Sequence, residues 1–336
     1  MNKYLTIFGS HSQYVEPEVK PNVSYCIQED EVHYNPHTFA DEYLTFVAKE
    51  NGTFTFTPQN NNVISYSTDN GSTWTQGTSV TVSNGDKVMW KGTMTPSNNG
   101  IGNFSSTANF DVQGNAMSLL YGDNFKGQTD LTGKTYAFYR LFKNNTKMIS
   151  AEKLFLPATT LAQYCYQYMF RDCTSLTTVP QLPATTLVDN CYISMFNGCA
   201  SLIAAPKLPA TTLANQCYQY MFQNCESLTT APKLPATTLA RSCYSGMFYG
   251  CTSLITAPEL PATTLASSCY SVMFSGCTNL NYIKAMFTTT PSSTYTSDWV
   301  RNVAASGTFV KNSAATWDVT GSSGIPTGWT IQTANG

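Results

Sequence analysis

The tetrapeptide Leu-Pro-Ala-Thr recurs with its proline at Pro157, Pro183, Pro209, Pro235 and Pro261, and every interval is 26 residues. Cysteines keep the same step at Cys165, Cys191, Cys217, Cys243 and Cys269, and a second set follows eight residues later at Cys173, Cys199, Cys225, Cys251 and Cys277. Met-Phe recurs from Met169-Phe170 to Met273-Phe274, and a leucine from Leu176 to Leu280. A fixed period of this length means units that cannot bury their apolar faces alone and must stack on one another.

One unit can be read residue by residue. Thr160 is a candidate helix N-cap, and Leu161, Cys165, Met169 and Cys173 follow four apart, which predicts one face of a helix of about three turns. Leu176, Val179 and Leu182 come next among polar residues, Pro180 and Pro183, and predict a short extended run. Each coil then reads as one helix and one extended run. The cysteines lack the two-to-four-residue spacing and the histidines of a zinc site, so they read as small buried side chains. The eleventh, Cys26, stands apart near the N-terminus.

The motif Met-Phe-x-x-Cys-x-x-Leu, an extended run and Leu-Pro resembles the BspA-like (Treponema-type) leucine-rich-repeat family of bacterial surface proteins, in a 26-residue variant. That family's motif usually carries Ala-Phe in a shorter repeat. The resemblance spans about residues 136–336 and implies a curved leucine-rich-repeat solenoid, surface display and adhesion, with no catalytic residues to carry over. Leu141-Phe142-Lys143-Asn144-Asn145 reads as a degenerate first coil in which Asn145 replaces the second cysteine because one side faces no neighbour. The segment from Met286, with Trp299, Phe309, Trp317 and Trp329, reads as a closing cap.

Upstream, Tyr43–Phe46, Thr53–Thr57, Val63–Ser67, Ser79–Val82, Lys87–Lys91 and Phe104–Phe110 are rich in β-branched and aromatic residues and separated by turn clusters such as Asn51-Gly52 and Asn84-Gly85-Asp86. They predict an antiparallel, immunoglobulin-sized sandwich. Ser67-Thr68-Asp69-Asn70-Gly71-Ser72-Thr73-Trp74 resembles the Asp-box of sialidases, but a single copy in about 80 residues cannot build a propeller and reads as a stabilised hairpin. The expected class is mixed α and β: an N-terminal arm (1–41), a β-sandwich-like domain (42–122), a leucine-rich-repeat solenoid with a degenerate first coil (123–285) and a C-terminal cap (286–336).

Charged residues make up 11% of the chain and the net charge is −2, which gives no field for nucleic acid or anionic lipid. No run reaches the roughly 18 apolar residues of a membrane span. The mostly apolar run Tyr4–Phe8 is too short for the core of a signal peptide, so synthesis in the cytosol is expected, followed by display on a virion or a bacterial surface. His11, His33 and His37 all lie in the arm, which also holds the proline-spaced stretch Tyr14–Pro21 and the acidic cluster Glu29-Asp30-Glu31. Pro36 argues against a helix that would bring His33 and His37 onto one metal. No catalytic, metal or cofactor residues are assigned, and an enzyme is not expected.

A recognition or adhesion protein is expected instead, with a host-surface protein or glycan as partner. The alternative is a phage virion structural protein, such as a tail or head appendage, assembled or oligomerised through its arm. Between the framework leucines and prolines the side chains vary from coil to coil, so the candidate partner-binding residues are Thr178, Gln181, Ala204, Lys207, Thr230, Lys233, Thr256 and Glu259. The column Tyr166, Tyr192, Tyr218, Tyr244 and Tyr270 joins them as a possible stacking platform.

Overall fold

The computed structural model describes residues 39–334, so Cys26, the three histidines and nearly all of the expected arm lie outside the described residues. Period-two alternation of apolar residues sets the first half. Strands β1 (Leu44–Ala48), β2 (Gly52–Pro58), β3 (Ile64–Ser67), β4 (Thr75–Gln76), β5 (Ser79–Val82), β6 (Lys87–Gly92), β7 (Gly102–Ser106), β8 (Phe110–Asn115) and β9 (Met148–Phe155) form two open sheets. Their orders are β4-β3-β6-β1-β8-β9 and β5-β2-β7. Phe46 of the larger sheet meets Phe54 and Phe104 of the smaller one at ring-centroid distances of 5.3 and 4.7 Å. The expected run Phe104–Phe110 is two strands in different sheets. The chain turns between them where the Ser106 hydroxyl accepts from the Ala108 amide.

The Ser67–Trp74 motif closes the β3–β4 hairpin. Asp69 accepts from the hydroxyls of Ser67 and Thr73 and from the Thr73 amide, and the Gly71 amide donates to the Ser67 hydroxyl. Those donors hold the Asp69 carboxyl down at about 2.

The repeats depart from expectation. The described residues are mostly β, and their two α-helices, α1 (Ser118–Tyr121) and α2 (Ser293–Thr296), have four residues each and lie outside the five repeats. The expected mixed α and β class, with a leucine-rich-repeat solenoid of helix plus extended run, is therefore overturned, and Thr160 caps no helix. The backbone explains why. Tyr164, Tyr168 and Asp172 have φ of 61, 59 and 60°, a left-handed conformation that no right-handed helix contains. The same three places are left-handed at Asn190, Ser194 and Gly198, and again at Gln216, Tyr220 and Asn224.

A ribbon of tight turns with a period of four results. Cys165, Gln167, Met169, Arg171 and Cys173 donate their amides three residues back, to Ala162, Tyr164, Tyr166, Tyr168 and Phe170. The residues between them donate to the following unit: Tyr166, Tyr168, Phe170 and Asp172 reach the carbonyls of Cys191, Ile193, Met195 and Asn197. This pattern repeats unit by unit, so the amides a helix would have used internally join neighbouring layers instead. It also puts Leu161, Cys165, Met169 and Cys173 on one inward face, as four-residue spacing requires.

Two aromatic columns run through the layers. Phe104 of β7 starts one, and it continues through Phe142, Phe170, Phe196, Phe222, Phe248 and Phe274 at centroid spacings of 5.4 to 5.8 Å. Tyr166, Tyr192, Tyr218, Tyr244 and Tyr270 form the other, at 5.5 to 6.1 Å. All ten repeat cysteines are buried free thiols. In each unit the second one donates to the phenylalanine carbonyl of the preceding layer, as Cys199 does to Phe170 at 3.1 Å. Asn145 keeps this role at the start of the stack: its amide donates to the carbonyl of Phe104. It faces a neighbour after all, and the neighbour is strand β7.

The hydroxyls of Tyr166, Tyr192 and Tyr244 are buried without a hydrogen-bond partner. Leaving a buried hydroxyl unpaired costs about 1–3 kcal/mol, so Tyr192→Phe is expected to raise stability by about 1 kcal/mol while keeping the ring in its column. Urea titration of the variant beside the parent measures this, and a loss of stability would mean that the hydroxyl is satisfied.

The expected division at 122/123 does not interrupt the fold. Strand β9, from the repeat side, pairs in parallel with β8, and one hydrophobic core runs from Leu44 to Trp329. The C-terminal segment prolongs the layers: Val272, Phe274 and Gly276 donate to Ser297, Trp299 and Arg301 as one repeat does to the next. Strands β10 (Tyr282–Ala285), β11 (Thr308–Lys311) and β12 (Thr330–Thr333) make a parallel sheet. Trp299 and Trp329 are buried, with their indole N–H groups on the carbonyls of Gly324 and Ala304.

Candidate recognition surface

Past the second cysteine each unit becomes extended. Leu176, Val179 and Leu182 point inward and are buried. The prolines supply a fixed φ where no ladder donor is needed. Parallel bridges Ser150 to Thr178, Ala204 to Thr230 and Thr256 to Tyr282 hold successive units in register. The inward positions fix which side chains face out: Thr178, Ala204, Thr230 and Thr256, and three residues further on Gln181, Lys207, Lys233 and Glu259, are all exposed.

These eight sequence candidates form one strip with two residues per layer. Down the stack the pairs read Thr/Gln, Ala/Lys, Thr/Lys and Thr/Glu. Ile203 and Ile255, at 56% and 54% exposure, add apolar contacts beside Ala204 and Thr256. Glu259 is paired with Lys284 at 3.0 Å.

The other five candidates are elsewhere. Tyr166, Tyr192, Tyr218, Tyr244 and Tyr270 are each 1% exposed. They stack on one another inside the core, which removes them from any partner-binding surface. Burial, with the neighbouring thiols, pushes their hydroxyl groups well above the ordinary tyrosine value. Burial likewise raises all ten repeat thiols, Cys165 and Cys173 to about 12. Protonated, enclosed thiols are poor nucleophiles and poor metal ligands.

At the first row the strip opens into a cleft of about 450 Å³. Leu154, Leu156, Pro157 and Pro183 make apolar walls, Asp41, Gln128 and Thr129 add polar groups, and Gln181 belongs to cleft and strip alike. Sequence reading missed Asp41, Gln128 and Thr129. They come from two separated segments that meet only in the fold, and neither carries a local motif.

Among the described residues no group of three His, Cys, Asp or Glu side chains could hold a metal, and no helix is long and apolar enough to cross a membrane. Comparison of the chain with family models, curated proteins and solved structures finds no match.

Proposed function

We propose that the chain is a non-enzymatic recognition protein that binds a protein or glycan partner along the strip from Thr178 to Glu259, with the adjoining cleft taking an apolar part of that partner. The observation that carries this reading is the contrast between an invariant interior and a varied outer face. Leu176, Leu202, Leu228 and Leu254 are identical in kind and buried, while the matching outer position reads Gln181, Lys207, Lys233 and Glu259, three residue types over four layers, and is exposed throughout. A rigid backbone that holds different side chains at a constant interval lowers the ordering cost of binding. Among the titratable groups, Asp69 is committed to its hairpin and the repeat thiols are buried, which also supports a binding role over catalysis.

The test is a glycan array and a surface-protein library probed with the full chain, followed by the variant Q181A/K207A/K233A/E259A. All four side chains are exposed, so the thermal midpoint is expected to stay within about 2 °C of the parent. Partner retention is expected to fall at least tenfold. A variant that binds as the parent does would exclude the strip, and an absence of any retained partner would exclude the recognition role.

A further inference from the structure

A second cleft, of about 430 Å³, lies between the loop Asn99–Asn103 and the first layer at Arg140–Asn144. Its walls are fixed by the backbone. The side-chain amide of Asn103 donates to the carbonyls of Arg140 and Lys143 at 2.7 and 3.2 Å, binding loop to layer. Gly100, with φ of +78°, lies so close to the Tyr139 carbonyl that a Cβ there would meet it.

The charges in this cleft share one sign. The Arg140 guanidinium lies on the Tyr139 ring at 4.6 Å and 5.7 Å from the Tyr168 ring, and Arg171 lies on Tyr168 at 5.2 Å. Lys143 lines the cleft beside Arg140. Arg171 and Asp172 pair at 3.3 Å, but among the described residues neither Arg140 nor Lys143 pairs with a carboxylate. Burial and then the charges of Arg140 and Arg171 push the Lys143 ammonium below its ordinary value, with Asp172 opposing. In a chain that is only 11% charged, the three cations Arg140, Lys143 and Arg171 drawn together around the single carboxylate of Asp172 are a cost that a bound anion would relieve.

The remaining lining is neutral and polar. Gln59, Asn99 and Asn144 line the cleft, and their side-chain amides make no hydrogen bond within the described residues. The volume lies in the range of small-molecule sites, about 300–1,000 Å³, and exceeds what a bare inorganic ion fills. We propose that this cleft binds an acidic sugar, with Arg140 and Lys143 holding its carboxylate or sulfate and Asn99 and Asn144 taking ring hydroxyls. Charge-assisted hydrogen bonds supply the anchor, and the amides supply selectivity for a polyhydroxylated ring. The cleft shares no residue with the strip.

Calorimetric titration of the full chain with glucuronate, galactose 6-sulfate, inorganic phosphate and glucose tests the assignment. At least one acidic sugar is expected to bind, glucose not at all, and phosphate at least tenfold more weakly. Binding of glucuronate alone or of the sulfated sugar alone supports the site and identifies the acid group. Lys143→Gln is expected to weaken binding at least tenfold with an unchanged thermal midpoint, and Arg171→Gln less, because Asp172 already engages that side chain. The strip variant Q181A/K207A/K233A/E259A is expected to bind the acidic sugar as the parent does. Equal binding of glucose, phosphate as tight as the acidic sugar, an unaffected K143Q, or no binding of any probe would overturn the proposal.

Discussion

Taking the protein from about pH 8 to about pH 10.5 is expected to unfold the repeat layers in a single steep step. The ten repeat thiols are the cause. Their ordinary value is 9.0, and burial raises every one of them, Cys165 and Cys173 to about 12 and Cys269 to about 11. Between the unfolded and folded values the folded chain retains protons that the unfolded chain has released. The stability due to these groups is complete below about pH 9 and is lost as the pH climbs toward the folded values.

Each such group removes about 1.4 kcal/mol per pH unit inside that window. Ten of them at one unit above the unfolded value amount to roughly 14 kcal/mol, comparable with the entire stability of a typical domain, about 5–15 kcal/mol. The buried tyrosines, whose ordinary value is 10.0, act in the same direction at higher pH. Circular dichroism and thiolate absorbance, followed together through an alkaline titration, measure the effect. The two signals are expected to change at one midpoint near pH 10. Thiols that titrate progressively from about pH 9 while the dichroism stays native would show that water reaches them, contrary to their burial. Replacing Cys217 and Cys225 by alanine is expected to make the transition less steep, because two of the ten linked protons are removed.

The same geometry shows what could be read from the chain beforehand. Period and inward face were legible, because Leu161, Cys165, Met169 and Cys173 lie four apart and are all buried. The conformation was misread because spacing of four suits both a helix and a ribbon of turns. A helix has 3.6 residues per turn, so positions four apart drift around its surface, while a four-residue turn repeats without drift. The discriminating signal stood one residue before each second cysteine. Asp172, Gly198, Asn224, Gly250 and Gly276 occupy that place, and Asn144 does so in the first layer. Asn, Asp and Gly tolerate left-handed backbone, and their recurrence there was the mark of a turn.

Gly246 shows why variation at such places is not free. A Cβ on it would run into the ring of Tyr220 in the preceding layer, so a large residue in one layer is matched by none in the next. The strip was legible for the opposite reason: the three-residue spacing of Leu176, Val179 and Leu182 decides locally which side chains of the extended segment face out. The tyrosine column was not, since nothing local separates a stacked interior ring from an exposed one. Neither cleft was legible, because each joins the strand domain to the first layers through segments far apart in sequence.

Phe196→Ala is expected to cost about 3–5 kcal/mol, the range for removing a fully enclosed aromatic ring from a core that cannot collapse around the space. Phe196 has no exposed surface, and its ring lies 5.4 Å from Phe170 and 5.6 Å from Phe222. Collapse is opposed on both sides by backbone bonds. The Phe196 amide donates to the Met221 carbonyl, and its own carbonyl accepts the Cys225 thiol at 3.2 Å. Neighbouring layers are thus pinned at their spacing while the ring between them is gone. Urea unfolding measures the loss, and a cost below about 1 kcal/mol would mean that the column is filled by relaxation and contributes little. The comparison with Tyr192→Phe is decisive because both rings belong to one unit and both are stacked. One variant deletes a ring and the other only an unpaired hydroxyl, so opposite signs are expected from two positions four residues apart. The extended run that presents Ala204 and Lys207 follows Phe196 in the same layer and is anchored by Leu202, which is fully buried. Loosening that layer is therefore expected to weaken partner retention at the strip as well, in proportion to the stability lost and without any change to an exposed side chain.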